Sequence, residues 1–485
     1  METLPVLPLE QILTHLEVRD LLACSLVSIS WRAAVNNDRV WKQICHCQSS
    51  TATIEHVQAV QSSIPPTFVD PETSNKELEP LCYWRVVYMK LQHVKCNWQR
   101  SNHKTYKVTD LAYNYFDLKV HKDVLVANVN DNHCAVWNIR STPVKQETIV
   151  CALTNTRCKC MIHVCDNKLA IVQDTLLQVY KSEGKHFKLS HRRLFNQAES
   201  VSETIPKSQN IDEWYNETVK RRPTHLQAFY VGKYFIGLAE NGPYDGASFH
   251  VWDTETGGKL KEEQVKAISS EIRDPIYNVK FCPPKADLGK ILVCVQHTKR
   301  TDNFTEDSYY TVLYIYDLSK LTFKKLNILR PHVPWIYYEN HIILTVDHTQ
   351  AKLSIYNSSN GENLVSKQYE EIINPDSVQV HGNHLGFKTG GDLVVLDVND
   401  FDLVFTTAIV KFSSNLFGFD FTFLDWNLVL IARWDKVNKI EVWSMDEKTL
   451  LSTLGTTGLM FPCNNSAKFF VWNEMVTTIY MLQFW

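Results

Sequence analysis

The chain has 485 residues, with 50 Lys+Arg against 53 Asp+Glu and a formal net charge of −3; hydrophobic residues make up 44% and charged residues 21%. That balance excludes a polybasic chain drawn to nucleic acid by bulk charge, and the length exceeds one compact core, so a small domain plus a large repetitive one is expected. No window approaches the ~18 uninterrupted apolar residues of a membrane helix, the start Met1-Glu2-Thr3-Leu4-Pro5 lacks the basic region of a secretion signal, and 13 scattered cysteines fit reduced thiols in the cytosol or nucleus.

The first 47 residues are apolar at helical spacing. Leu7 to Leu16 make a short amphipathic helix, with Pro8 in its first turn and Leu9, Ile12, Leu13 and Leu16 on one face. Asp20 is placed to cap a second helix carrying Leu21, Leu22, Cys24, Leu26 and Val27. Trp31-Arg32 opens a third, Asn36-Asn37 stops it, and Asp38 is placed to cap a last turn bearing Val40, Trp41 and Ile44. So short a unit cannot bury all these side chains internally, and surplus apolar surface implies a partner. Residues 48–75 are polar and turn-rich, with the second half expected as a loop. A further helix is expected at about 78–95, where Leu81, Trp84, Val87, Tyr88 and Leu91 share a face.

From about residue 105 the texture changes to short, β-branched apolar runs between turn residues. The recurring unit is one apolar run, a gap, then a second run ending in an aromatic and often a polar residue, as in Val124-Leu125-Val126-Ala127 followed by Ala135-Val136-Trp137-Asn138. Equivalent anchors fall at Trp137, Tyr180, Trp252, Tyr316, Tyr356, Leu396, Trp443 and Tyr480, spaced 43, 72, 64, 40, 40, 47 and 37 residues apart. Most spacings match the ~40–45 residues of a four-stranded propeller blade. The two long ones are expected to hold polar insertions, around Glu199 to Asn210 and Thr298 to Asn303. The expected fold is α+β and multidomain: a small helical domain over 1–47, a linker over 48–104, and a β-propeller over 105–485 with eight blades, seven being the alternative. The chain ends too soon after Tyr480 for that blade's outer strand, so Lys104 to Val108 is expected to fill the gap and lock the ring.

Residues 7 to 41 resemble an F-box. Leu7-Pro8, Glu10, Ile12-Leu13, Asp20-Leu21-Leu22, Ser25-Leu26-Val27, Trp31-Arg32 and Trp41 stand in that family's order and spacing, and Trp84, Tyr88 and Asn97-Trp98 look like the linker of F-box/WD-repeat proteins. Only Trp252-Asp253 is a true Trp-Asp ending, so the blades are degenerate. The resemblance implies a non-catalytic, substrate-recruiting subunit of a ubiquitin ligase, docked through the Skp adaptor to a cullin. The implied adaptor-binding set is Leu7, Pro8, Ile12, Leu13, Leu16, Leu21, Leu22, Val27 and Trp31, divided between contact and internal packing. A propeller scaffold that directs no ubiquitination is the alternative reading.

No catalytic signature is present: no P-loop, no dinucleotide fingerprint, no His-Glu-x-x-His and no Gly-x-Ser-x-Gly. Cys158, Cys160, His163 and Cys165 are too strand-like to read as a metal site, and neither metal nor cofactor is expected. Arg221, Arg222, Lys299, Arg300 and Arg433 belong to the two loop types that emerge on one propeller face, where they would clamp an acidic or phosphorylated protein substrate. No nucleic acid or membrane partner is expected.

Overall fold

The computed structural model describes residues 6–59, 81–110, 118–130, 133–151, 160–165, 167–173, 176–184, 186–194, 225–240, 247–265, 276–282, 289–298, 309–329, 335–339, 342–347, 352–369, 377–389, 392–408, 419–433, 439–455, 459–462, 465–473 and 478–485. The helical part comprises α1 (Val6–Thr14), α2 (Val18–Cys24), α3 (Ile29–Val35), α4 (Asp38–Gln48), α5 (Thr51–Ala59) and α6 (Tyr83–Gln99).

The caps differ from those expected. Asp20 lies in the first turn of α2, whose N-cap is Glu17. Ser28 caps α3, its side chain accepting from Trp31 N, and Asn37 caps α4, its side chain accepting from Arg39 N. Asp38 instead accepts from Trp84 N at 2.8 Å, and Asn36 Oδ1 from Cys82 N at 2.8 Å. Two residues of the α3–α4 junction thus satisfy orphan donors of a helix 46 positions further on, because the N-cap of α6, Cys82, makes no side-chain cap. That is why α6 starts at Tyr83 rather than near 78, and it runs on to Gln99. The polar stretch after residue 48 begins with α5, which hides Thr53, Ile54, His56 and Val57.

The rest is eight antiparallel four-stranded sheets. Blade 1 has strands Leu118–His121, Val124–Asn130, His133–Asn138 and Val144–Val150. Blades 2 to 7 follow over 160–194, 225–264, 276–329, 335–368, 379–408 and 419–454. Blade 8 takes Leu459–Pro462, Lys468–Asn473 and Thr478–Gln483 from the end of the chain. Its outer strand is Lys104–Asp110, paired with Thr478–Gln483 as the sequence predicts, so the ring is closed by hydrogen bonds between the two ends of the propeller.

All eight anchors fall in third strands. Eight apolar clusters fill the seams between neighbouring blades. Each blade also carries a bulge in its outer strand. It lies opposite the anchor in seven blades and two residues earlier, beside Tyr314, in blade 4. A bulge bends and twists an edge away from continued pairing, so the outermost strands are poor templates for another chain.

The polar residue after five of the anchors has a local role. The side-chain oxygens of Asn138, Asp253, Asp317, Asn357 and Asp397 accept from the backbone N–H two residues on, at 2.7 to 2.9 Å, forming Asx turns into the outer strands. Four residues after Asp253, Asp317, Asn357, Asp397 and Ser444 the backbone turns left-handed, at Gly257, Leu321, Gly361, Phe401 and Lys448. Glycine is required at 257 for a second reason: a Cβ there would sit 2.7 Å from the His191 ring of blade 2.

Candidate functional site

Two surfaces matter: the outside of the helical domain and the end of the propeller that faces away from it. The core of the helical domain is Leu13, Leu21, Val35, Val40, Trp41 and Ile44, with Leu9, Leu16, Trp31, Trp84 and Tyr88 packed around it. Trp41 is buried at its centre; its Nε1 donates to Val35 O at 2.7 Å and its ring lies 5.1 Å from that of Tyr88.

The expected adaptor-binding set divides accordingly. Leu13 and Leu21 are fully buried and fall to internal packing. Leu16 and Trp31 are half-buried against the same core. Ile12 is 50% exposed, Leu22 42% and Val27 69%. Leu7 and Pro8 lie in α1, and their side chains are outside the described residues. Two residues missing from the expected set, Leu26 and Ile29, are more exposed still, at 80% and 77%. The signal for them was their position: Leu26-Val27-Ser28-Ile29 spans the turn between α2 and α3, where the Ser28 cap fixes the backbone and no core lies beneath. An apolar turn held rigid in water costs about 1.5–3 kcal/mol per large side chain relative to burial, and a partner covering it recovers that.

The helical unit is seated on the propeller at the ring closure. Ile54, Val57, Val87, Leu91, Val94 and Trp98 join the apolar cluster of the seam between blades 7 and 8. The Trp98 ring stacks on Phe484 with centroids 3.4 Å apart, and its Nε1 donates to Ser466 O at 2.6 Å. Asn97 Nδ2 donates to Phe484 O at 2.8 Å. Ser50 donates through both its backbone N and its hydroxyl to the Asp425 carboxylate, at 3.0 and 3.1 Å, while Ser466 N donates to Thr53 Oγ1 at 2.8 Å.

Charge reinforces the same seat. Asp123, in the first turn of blade 1, faces the fully buried Lys468 of blade 8 at 3.2 Å and His56 of α5 at 3.7 Å. The His56 contact first, then the Lys468 ammonium, holds the Asp123 carboxyl down to about 2 against the effect of burial. Burial pushes the His56 imidazole below its ordinary range, only partly offset by Asp123. Asp123, Asp425 and Ser466 lie in turns between first and second strands, so α5 and α6 occupy the end of the propeller where those turns emerge. The opposite end carries the second-to-third connections and the links between blades.

Arg433 lies at that opposite end. Its Nε and Nη2 both stand 3.0 Å from Oε2 of Glu441, which is buried and also receives Lys439 Nζ at 3.0 Å on Oε1 and Trp443 Nε1 at 3.0 Å. One buried carboxylate thus orients two cations and leaves one positive charge in excess. Arg221, Arg222, Lys299 and Arg300 lie outside the described residues, as do both expected insertions apart from Thr298. Of the weak cysteine–histidine cluster, Cys158 lies outside the described residues and the run Cys160–Cys165 is the first strand of blade 2. His163 is lowered to about 4 by burial, and the described residues contain no group of three or more metal-ligating side chains.

Residues 1–47 match a family model described as F-box-like. Those residues are an F-box-like domain. No curated protein matches this chain in sequence. Among solved structures, similarity extends to the C-terminal WD40 domain of Sif2, with 10% identity, a TM-score of 0.48 and coverage of 79% of this chain and 98% of that one. BamB from Moraxella catarrhalis gives 8%, 0.47, 78% and 98%, and Sqt1 from Saccharomyces cerevisiae 10%, 0.47, 79% and 97%. The eight-blade count comes from the strand order of this chain itself. No helix among the described residues is long and apolar enough to cross a membrane.

Proposed function

We propose that this chain is the substrate-recruiting subunit of a Skp–cullin–F-box ubiquitin ligase. The observation that carries the reading is the exposed apolar set Ile12, Leu22, Leu26, Val27 and Ile29 within the F-box-like residues. Its chemistry suits an apolar partner surface, and in the F-box family that surface belongs to the Skp adaptor. The open end of the propeller is the seat for a target protein, with Arg433, Arg221, Arg222, Lys299 and Arg300 as donors to its acidic or phosphorylated groups. The chain then works by proximity in the cytosol or nucleus: it does no chemistry, and it raises the effective concentration of a target lysine beside the charged conjugating enzyme.

The test is a pull-down of the purified full chain with the Skp adaptor, comparing wild type with the Val27→Asp/Ile29→Asp variant. Both positions are exposed, so the fold is retained, which circular dichroism checks. Binding by wild type and loss in the variant supports the reading. A folded wild type that binds no adaptor sinks it.

A further inference from the structure

Blade 1 places two nucleophilic side chains against each other. Cys134 is the second residue of its third strand, and Cys151 follows the end of its fourth. Cys134 pairs with Ile149 across the ladder, so Cys151, two residues on, projects from the same face. Both sulfurs are buried in the seam with blade 2, where Val126, Val136, Ile149 and Ile162 surround them. Their Sγ atoms are 3.5 Å apart, and Cys134 Sγ also lies 2.9 Å from Asn128 Oδ1. The carbonyl oxygen of Asn128 can only accept, so the Cys134 thiol donates to it and the Cys151 thiol donates to Cys134. Other buried cysteines face backbone instead: Cys45 Sγ meets Trp84 O at 3.8 Å and Cys282 Sγ meets Ile336 O at 3.3 Å.

We propose that Cys134 and Cys151 are a reversible dithiol–disulfide pair that responds to peroxide. One thiol attacks a peroxide oxygen and breaks the O–O bond, its proton leaving with the displaced hydroxide, to give a sulfenic acid and water. The second thiol then attacks that sulfur, forming the S–S bond, and its proton leaves with the displaced hydroxide as a second water. The two thiols lose two electrons together and hydrogen peroxide gains them. Closing 3.5 Å to a bond draws the start of the link between blades 1 and 2 toward the third strand of blade 1. This happens at the propeller end opposite α5 and α6, so oxidation ties the outer strand of blade 1 to its third strand there, away from the helical seat. A disulfide of this kind in a reducing compartment is transient and sensing rather than structural.

The test uses the full-length protein treated with hydrogen peroxide, then denatured in the presence of a thiol reagent that blocks every remaining thiol, and digested without reduction for mass spectrometry. The expected result is a linked Cys134–Cys151 peptide, formed about tenfold more than any other cysteine pair and reversed by dithiothreitol. Cys151→Ser is expected to abolish it, and Cys134→Ala serves where a buried serine hydroxyl disturbs the blade. Two outcomes overturn the proposal. In one, both thiols stay alkylatable after peroxide while the exposed Cys47 is oxidised. In the other, the purified protein holds one zinc per chain and the two thiols react only after chelation.

Discussion

Replacing Trp98 with Ala tests whether the helical unit is part of the propeller or only tethered to it. The ring is fully buried, stacked on Phe484 at 3.4 Å and edge-on to Phe469 at 6.1 Å. Truncating a buried tryptophan to alanine costs about 3–5 kcal/mol, and the lost Nε1 bond leaves Ser466 O short of a donor, about 1 kcal/mol more where no water enters. Since Phe484 lies just beyond the last strand of blade 8, which also pairs with Lys104–Asp110, the loss falls on the ring closure itself. The assay is urea unfolding read from the strand signal in circular dichroism, with the slope checked so that a shifted midpoint means changed stability. A fall of about 4 kcal/mol in the strand transition is expected. Trp98→Ala paired with Phe484→Leu should give a coupling energy on the order of 1 kcal/mol, since the two rings touch. A strand transition that moves by less than about 1 kcal/mol, with only the helical signal changed, would refute the shared core.

Three further outcomes follow from the same geometry. Lys448 sits at φ 54° in an exposed turn, so Lys448→Gly should raise the melting temperature through relief of roughly 1 kcal/mol of left-handed strain, less the added chain entropy; an unchanged or lower value contradicts that account. Leu13→Ala should destabilise the helical domain by about 2–5 kcal/mol in thermal unfolding, whereas Val27→Ala should stay within about 0.5 kcal/mol; equal losses would mean the two positions are not core and surface. Acid should weaken the α5 seat in two stages. His56 has a folded value below its unfolded one, so stability falls as pH drops below the ordinary imidazole range; Asp123, held to about 2, keeps its contribution above ~4 and loses it as pH falls toward 2. Urea midpoints across that range should show the lower stage missing in Asp123→Asn, and an unchanged acid limb would remove Asp123 from the account.

The parts of this fold written in side-chain chemistry were legible, and the parts written in backbone or in distant partners were not. The eight anchors announced themselves because a third strand must be apolar on both faces between two blades, and in five blades the Asx turn that follows needs a short polar side chain. The bulge in every outer strand has no such signature: the residue there is Leu or Val in six blades but Gln146 and Ser190 in the other two, and an aliphatic residue in a strand does not by itself mark a bulge. No helix is expected from the sequence where α5 stands because Ser49, Ser50 and Thr51 favour caps and turns, and its buried face gains meaning only against Asp425 and Ser466. Leu13 could not be told from Ile12, nor Leu21 from Leu22, at the level of pattern, since each short helix carries adjacent apolar residues and only the fold shows which of them is buried. Asp38 looked like a cap and is one, but for α6 rather than for its own helix, and nothing local marks such a partner.

On the proposed function, the stiffness of α6 has a mechanical meaning. Its 17 residues span about 25 Å, with Trp84 and Tyr88 packed against both the F-box-like core and the propeller seam, Trp98 buried in that seam, and Asn97 bonded to Phe484 O. A flexible tether would let a recruited target explore a large volume, and its effective concentration at the conjugating enzyme would fall as that volume grew. A helix buried at both ends removes that freedom: Leu26 and Ile29 at one side and the open end of the ring at the other stand at a set distance and angle. Target selection then depends on reach as well as on affinity. On that proposal, a target bound at the open end is modified only where a lysine falls within the reach this fixed geometry sets.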